Sequence, residues 1–235
     1  MKNLLYSTPV IMLRTLVQTI ATLTSFWWVK FTGNATRIKT DTIIKNWARA
    51  LLQIVNVKPQ VIGKLPVYKT HQPYIIMSNH ASLYDIPIIL DTLPGSIRMI
   101  AKKELSYIPY FGTSLKNSEF IFIDRKNRQQ AILDLQKAKA KMLDGIIIWA
   151  APEGTRSREG QLGVFKKGIF KLAKETDAII IPVSIKGARQ LLPPKTWRFN
   201  PGQAVFVHIG EPIVARDFDE TALNARVRDT IQSWL

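Results

Sequence analysis

Tyr74-Ile75-Ile76-Met77-Ser78 runs without a break into Asn79-His80-Ala81-Ser82-Leu83-Tyr84-Asp85-Ile86-Pro87. The first five residues form a continuous apolar run rather than an alternation, as expected of a strand buried on both faces. Residues 83–92 then carry a helical pattern, so the segment reads as strand, tight turn and helix. His80 falls at the turn. Five positions on a regular helix place two side chains about 140° apart. His80 and Asp85 therefore meet only if His80 lies in the turn and Asp85 folds back from the first helical turn. In that arrangement a carboxylate fixes the imidazole tautomer and leaves the other ring nitrogen as a general base. Taken alone, such a pair also occurs as a plain structural contact.

Outward from this junction the same alternation recurs. Residues 97–101, 120–124, 146–151, 178–185 and 204–209 read as further strands, mostly as continuous apolar runs. Helical patterns occupy residues 129–143, 166–176 and 220–234. The fold expected is α/β: a mixed, mainly parallel sheet covered by helices. Ligand sites in such sheets form at strand ends, and the strand ends here are rich in cations. Residues 146–151 lead into Pro152-Glu153-Gly154-Thr155-Arg156-Ser157-Arg158, where two arginines sit beside hydroxyls and a carboxylate. Arginine forks bind phosphate bidentately, so this loop points to an anion. Residues 97–101 lead to Lys102-Lys103-Glu104, and 120–124 to Arg125. Lys166 and Lys167 read as a solvated helix face, and His71 and His208 as structural.

The chain has 235 residues, no cysteine, and 33 Lys+Arg against 17 Asp+Glu, a formal charge of +16. Absence of cysteine removes thiol nucleophiles, disulfide scaffolds and iron–sulfur clusters. The charge calls for an anionic partner: nucleic acid, a membrane surface or a phosphorylated substrate. Nucleic acid is the remote choice, because the cations sit at strand ends or beside Trp-bearing apolar faces without the aromatic interleaving of a stacking platform. There is no phosphate-gripping P-loop and no metal-ligand cluster, so no cofactor or metal is expected.

Residues 1–60 stand apart. They hold eight basic residues, one acid (Asp41) and three of the six tryptophans, Trp27, Trp28 and Trp47. A largely apolar helix over residues 9–29 would measure about 30 Å, enough to cross a bilayer. Arg14, Gln18, Thr22 and Ser25 form a polar stripe along it, which favours a helix lying in the membrane interface. Gly33-Asn34 reads as the turn into a second helix marked by Ile43, Ile44, Trp47, Ala48, Leu51, Leu52 and Val55, too short to span. The plain alternative is that both helices pack on the core. The expected division is a two-helix anchoring motif over 1–57 and an α/β domain over 58–235.

Four blocks now carry a resemblance. Asn79-His80-Ala81-Ser82-Leu83-Tyr84-Asp85 resembles the HxxxxD motif of the glycerolipid acyltransferases, and Pro152-Glu153-Gly154-Thr155-Arg156-Ser157 resembles their PEGTRS motif. Phe122-Ile123-Asp124-Arg125 and Ile181-Pro182-Val183-Ser184-Ile185-Lys186-Gly187 are similar to two further blocks. They occur in the family's order across residues 79–187, and are most similar to the bacterial 1-acylglycerol-3-phosphate acyltransferases. Ala151 departs from the pattern, which usually carries an aromatic residue before the proline. The resemblance implies a membrane enzyme of phospholipid biosynthesis that acylates the 2-hydroxyl of lysophosphatidic acid to phosphatidic acid, using acyl-CoA or acyl carrier protein as donor. It implies His80 as base with Asp85 as its support, and glycerol phosphate held by Arg125, Glu153, Gly154 and Arg156. Lys102 or Lys103 adds charge. Another lysolipid, or glycerol 3-phosphate, is the alternative acceptor. The place implied is the cytoplasmic face of the inner membrane, with the chain lying in the interface.

Overall fold

Alternate residues of the run at 74–78 point to opposite sides, and both sides are filled. In a computed structural model, which describes residues 4–124, 126–157 and 161–235 (for Arg128 and Ile132 the backbone alone), this strand is β2, Tyr74–Ser78. Tyr74 and Ile76 enter one apolar cluster, while Ile75 and Met77 enter a second across the sheet. The two-sided burial expected of a continuous run is therefore met residue by residue.

The other strands are β1 (Gln60–Ile62), β3 (Ile97–Lys102), β4 (Ile121–Ile123), β5 (Ile147–Ala150), β6 (Ile179–Lys186), β7 (Phe206–Ile209) and β8 (Ile213–Val214). Their order is β1-β7-β6-β2-β5-β3-β4, with β8 paired to β6. The five from β6 to β4 are mutually parallel, whereas β7 and β8 run antiparallel to β6. The sheet is thus mixed and mainly parallel, and the five parallel strands end at one edge.

Helices cover both faces. The helices after the amino-terminal pair are α3 (Asp85–Thr92), α4 (Phe111–Asn117), α5 (Arg128–Leu143), α6 (Lys167–Glu175), α7 (Ala188–Leu191) and α8 (Glu220–Gln232). Ile88 and Ile89 of α3 join the first cluster, and Met142, Phe170 and Val227 of α5, α6 and α8 join the second. Asn127 caps α5 and Asp219 caps α8, each side chain accepting a backbone N–H of the first turn.

The amino-terminal pair comprises α1 (Thr8–Phe31) and α2 (Arg37–Ile54). Pro9 occupies the first turn of α1, where its missing N–H costs nothing. The helix ends as expected at Gly33, whose φ of +68° lets the Asn34 N–H return to the Val29 carbonyl at 3.1 Å. Ile44, Ala48, Leu51 and Leu52 of α2 belong to the same core cluster as β2 and α3, so the hydrophobic core runs across residue 57. The polar stripe on α1 is split. Thr22 is buried and Thr19 accepts a hydrogen bond from the Trp47 indole at 3.2 Å, while Arg14 and Ser25 are exposed. The outward face is apolar: Leu13, Leu16, Val17, Ile20, Trp27, Trp28 and Phe31 are exposed.

An ionic cluster fastens α2 to the sheet. Arg98 of β3 is only 1% exposed and pairs with Asp41 of α2 at 2.7 Å. Its Nε also donates to the Ser118 carbonyl. Arg37 adds Glu119 at 2.7 Å and Asp144 at 2.6 Å. Asp41, the single acid among the first sixty residues, is thus spent on the one fully buried arginine among the described residues.

Candidate active site

Register dictates that the motifs meet. β2 and β5 are adjacent and parallel, with Met77 opposite Ala150, so the loops following them leave the sheet side by side. Neighbouring strands lie about 4.8 Å apart, and residues 79–85 therefore face residues 151–157 although some seventy positions separate them.

His80 lies in the turn and Asp85 is the first residue of α3. The His80 Nδ1 to Asp85 Oδ2 distance is 2.7 Å, and the same oxygen accepts the Ala81 N–H at 2.7 Å and the Ser82 N–H at 2.8 Å. An oxygen serving two amide donors is an acceptor toward the ring as well. Nδ1 then carries the proton and Nε2 presents its lone pair. Asp85 is fully buried, whereas the His80 side chain is 19% exposed and borders the groove described below. The Trp149 ring stands edge-on to the imidazole, with centroids 6.1 Å apart.

The turn is held from every side. Asn79 donates to the Ile185 carbonyl at 2.9 Å and accepts the Ile185 N–H at 2.7 Å, locking the end of β2 to β6. The Ser82 hydroxyl donates to the Leu192 carbonyl at 2.9 Å and accepts the Tyr84 N–H at 3.2 Å, which takes it out of use as a nucleophile. The His80 carbonyl accepts the Ser157 N–H at 2.7 Å, and Glu153 Oε1 accepts the His80 N–H at 3.0 Å. Glu153 Oε2 accepts the Gly163 N–H at 2.8 Å. Burial pushes the Glu153 carboxyl above its usual range, and the two N–H donors pull it back.

A groove of about 770 Å³ opens along the carboxyl edge of the sheet. Its lining includes apolar side chains, Leu83, Ile86, Met99, Ile123 and Leu135, together with polar and cationic ones, Thr155, Arg156, Lys102, Lys166 and Lys195. Gly154 also lines it, at φ +73°. A Cβ there would stand 3.0 Å from Lys166 Nζ, so the absent side chain is what lets Lys166 lie over the loop. Lys195 borders the groove with a left-handed φ of +61°.

Of the residues singled out in the sequence, His80, Asp85, Gly154, Arg156 and Lys102 come together at this edge. Glu153 and Lys103 are near but do not border the groove. Glu153 spends both oxygens on backbone N–H groups, and Lys103 pairs with Asp124 at 3.2 Å, which raises its ammonium pKa. Arg125 and Arg158 lie outside the described residues. Lys166 is exposed, as a solvated face requires, and it also borders the groove. It is the cap residue of α6, and its N–H donates to the Pro152 carbonyl at 2.8 Å. Lys195 carried no signal in the sequence beyond the Pro193-Pro194 turn before it. His208 stacks on Trp234 at 5.6 Å, away from the groove.

The acyltransferase family model matches residues 58–186, and the chain belongs to that family. Its sequence is 34% identical over 182 residues to a 1-acyl-sn-glycerol-3-phosphate acyltransferase of Saccharomyces cerevisiae, covering 75% of this chain and 59% of that one. The alpha form from Homo sapiens is 33% identical over 164 residues, covering 68% and 58%. The chain thus spans less than two thirds of these relatives' length. The crystal structure of PlsC, the 1-acyl-sn-glycerophosphate (LPA) acyltransferase of Thermotoga maritima, superposes with a TM-score of 0.72 at 27% identity. That match covers 94% of this chain and 95% of the other.

Proposed function

We propose that the protein transfers an acyl chain from an acyl thioester to the 2-hydroxyl of 1-acylglycerol 3-phosphate, giving phosphatidic acid and a free thiol. The observation that carries this reading is the His80–Asp85 pair at a groove lined by both apolar and cationic side chains. His80 Nε2 takes the hydroxyl proton, and the oxygen attacks the thioester carbonyl to form a tetrahedral oxyanion. When that species collapses the carbon–sulfur bond breaks, and the thiolate recovers the proton from the imidazolium, which Asp85 stabilises meanwhile. Ser82 is engaged elsewhere, so the transfer is direct, with no acyl-enzyme. Arg156, Lys102 and Lys166 face the glycerol phosphate, Gly154 allows its close approach, and Arg125 belongs to the same set by the family pattern. Glu153 and Lys103 serve from behind, by fixing the backbone of His80 and by pairing with Asp124. Acyl-CoA or acyl carrier protein supplies the thioester, and no cofactor takes part. The relatives named for 1-acyl-sn-glycerol-3-phosphate support the choice of acceptor.

The same reading places residues 1–57 as the membrane-anchoring motif and 58–235 as the acyltransferase domain. The chain would lie in the interface on the cytoplasmic face of the inner membrane. Supporting this, α1 is long and apolar enough to cross a membrane, yet it touches the domain at both ends. Thr8 accepts the Phe199 N–H at 3.3 Å, Trp27 meets Tyr110, and Lys30 donates to Asn117 at 3.1 Å. A helix of about 36 Å held so lies along the domain, with its apolar face outward for lipid.

Purified protein in mixed micelles, given lysophosphatidic acid with either donor, is expected to form phosphatidic acid. His80→Ala should lower turnover about 10²–10⁴-fold. Near-wild-type turnover by that variant would overturn the assignment of the base. Failure to form product with both donors, where another lysolipid or glycerol 3-phosphate is acylated, would overturn the acceptor.

A further inference from the structure

The loop that satisfies Glu153 is itself held by a residue far along the chain. Arg228, on α8, donates through Nη2 to the Leu162 carbonyl at 2.9 Å and through Nη1 to the Gly163 carbonyl at 2.5 Å. Its guanidinium lies over the Phe165 ring, 5.3 Å from the centroid, and Phe165 stacks in turn on Phe170 of α6. The two carbonyls and the ring belong to residues 162–165, the segment that sends the Gly163 N–H to Glu153. A planar fork that binds two successive carbonyls fixes the peptide between them in orientation as well as position. A lysine, a point charge with rotatable donors, does not. Gly163 completes the fit, because a Cβ there would come within 3.1 Å of Glu153 Oε2.

We propose that Arg228 is a positioning residue for His80. It orients residues 162–163, the Gly163 N–H holds Glu153 Oε2, and Glu153 Oε1 holds the His80 backbone. The carboxyl-terminal helix thereby governs the placement of a turn that begins at residue 79. Without the fork, Gly163 no longer presents its N–H squarely, and Glu153 loses one of the two donors that favour its ionised form. A protonated Glu153 holds the His80 N–H less well, so the imidazole stands correctly in a smaller fraction of molecules. The effect falls on turnover, and most at low pH. It leaves the acceptor KM unchanged, because Arg228 does not border the groove.

The inference rests on His80 acting as base, and its test has one arm that needs no turnover. Arg228→Ala, Arg228→Lys and Gly163→Ala are compared with Arg226→Ala, an exposed control on the same helix. Hydrogen exchange in detergent is read on peptides covering residues 79–85 and 161–166. Arg228→Ala is expected to speed exchange in both segments, with Arg226→Ala unchanged. With lysophosphatidic acid as acceptor, Arg228→Ala and Gly163→Ala should each lower kcat about tenfold at neutral pH. Both should move the acid limb of the kcat profile to higher pH at constant acceptor KM, and Arg228→Lys should recover little of the loss. A lower melting temperature with wild-type exchange at 79–85 and an unmoved acid limb would make Arg228 a packing residue and overturn the proposal. Faster exchange at 79–85 in a protein whose wild type forms no phosphatidic acid would uphold the linkage while rejecting the reaction.

Discussion

Asp85 Oδ2 gathers the His80 ring and two amide hydrogens within 2.8 Å. That crowding fixes the imidazole about its ring axis and ties it to the start of α3, so loss of charge and loss of shape are separable here. Asp85→Asn can still offer a carbonyl oxygen to the same donors. It is expected to keep the melting temperature and acceptor KM while lowering kcat about 10²-fold or more, because the imidazolium loses its counter-charge. A steady-state comparison beside a thermal melt checks both halves. At Gly154 the demand is on space. Gly154→Ala meets a left-handed φ and Lys166 together, so about 1–2 kcal/mol of backbone strain and a several-fold rise in acceptor KM are expected. Lys166→Ala should reproduce the KM rise without the strain. Spacing allowed the His80–Asp85 contact, with His80 in a turn and Asp85 at a helix start, and the resemblance to the HxxxxD motif singled it out. The place of Lys166 at the groove could not be read in advance, since a Lys-Lys pair opening an amphipathic helix reads only as solvated, and its backbone bond to the Pro152 carbonyl appears only in the fold.

Among the elements, β2, β5 and β6 were legible as continuous apolar runs, and the parallel sheet followed from their alternation with helices. β1 was not: all three of its residues are exposed, and β7 alone gives it its conformation. β8 has two residues, and α4 contains Gly112 after a proline-bearing loop, so neither shows a period. The stitching of α2 to β3 was hidden for another reason. A lone Asp41 and a lone Arg98 carry no pattern until the fold brings them to 2.7 Å. Removing one partner of a buried pair leaves the other uncompensated. Asp41 is 27% exposed and Arg98 keeps Glu119 at 3.7 Å, so Asp41→Ala should destabilise in urea unfolding by less than the ~3–5 kcal/mol of a fully buried pair, and Asp41→Glu by less again. Glu119 adds a pH signature. Its hydrogen bond with Arg37 holds its carboxyl below the usual value against an opposing burial effect. A depressed folded pKa gives stability that is present above the ordinary glutamate range and lost as pH falls through the folded value. Arg37→Ala should thus lower the melting temperature at neutral pH, and the gap from wild type should close on acidification. Melts across a pH series measure it.

At the scale of the whole molecule, α1 presents Leu16, Ile20, Trp27, Trp28 and Phe31 outward while α2 is part of the core. Leu16→Ser, Trp28→Ser and Phe31→Ser combined should weaken co-sedimentation with anionic phospholipid vesicles and leave the urea midpoint unchanged, since all three are exposed. Deleting residues 1–56, by contrast, strips Ile44, Ala48, Leu51 and Leu52 from the core and should leave an aggregating chain rather than a released enzyme.

The strand order carries a consequence for how the protein is born. Both neighbours of β2, namely β5 and β6, are synthesised after it, and β5 must enter between β2 and β3. A nascent chain that has emerged only through α5 holds β2 and β3 with no strand to join them, and long-range pairings of this kind close slowly. His80 leaves the ribosome early, yet its Glu153 brace and the β6 clamp on Asn79 come some seventy and a hundred residues later. A product that ends before β6 can still pair β2 with β5, but it lacks the other neighbour of β2 and the clamp on Asn79.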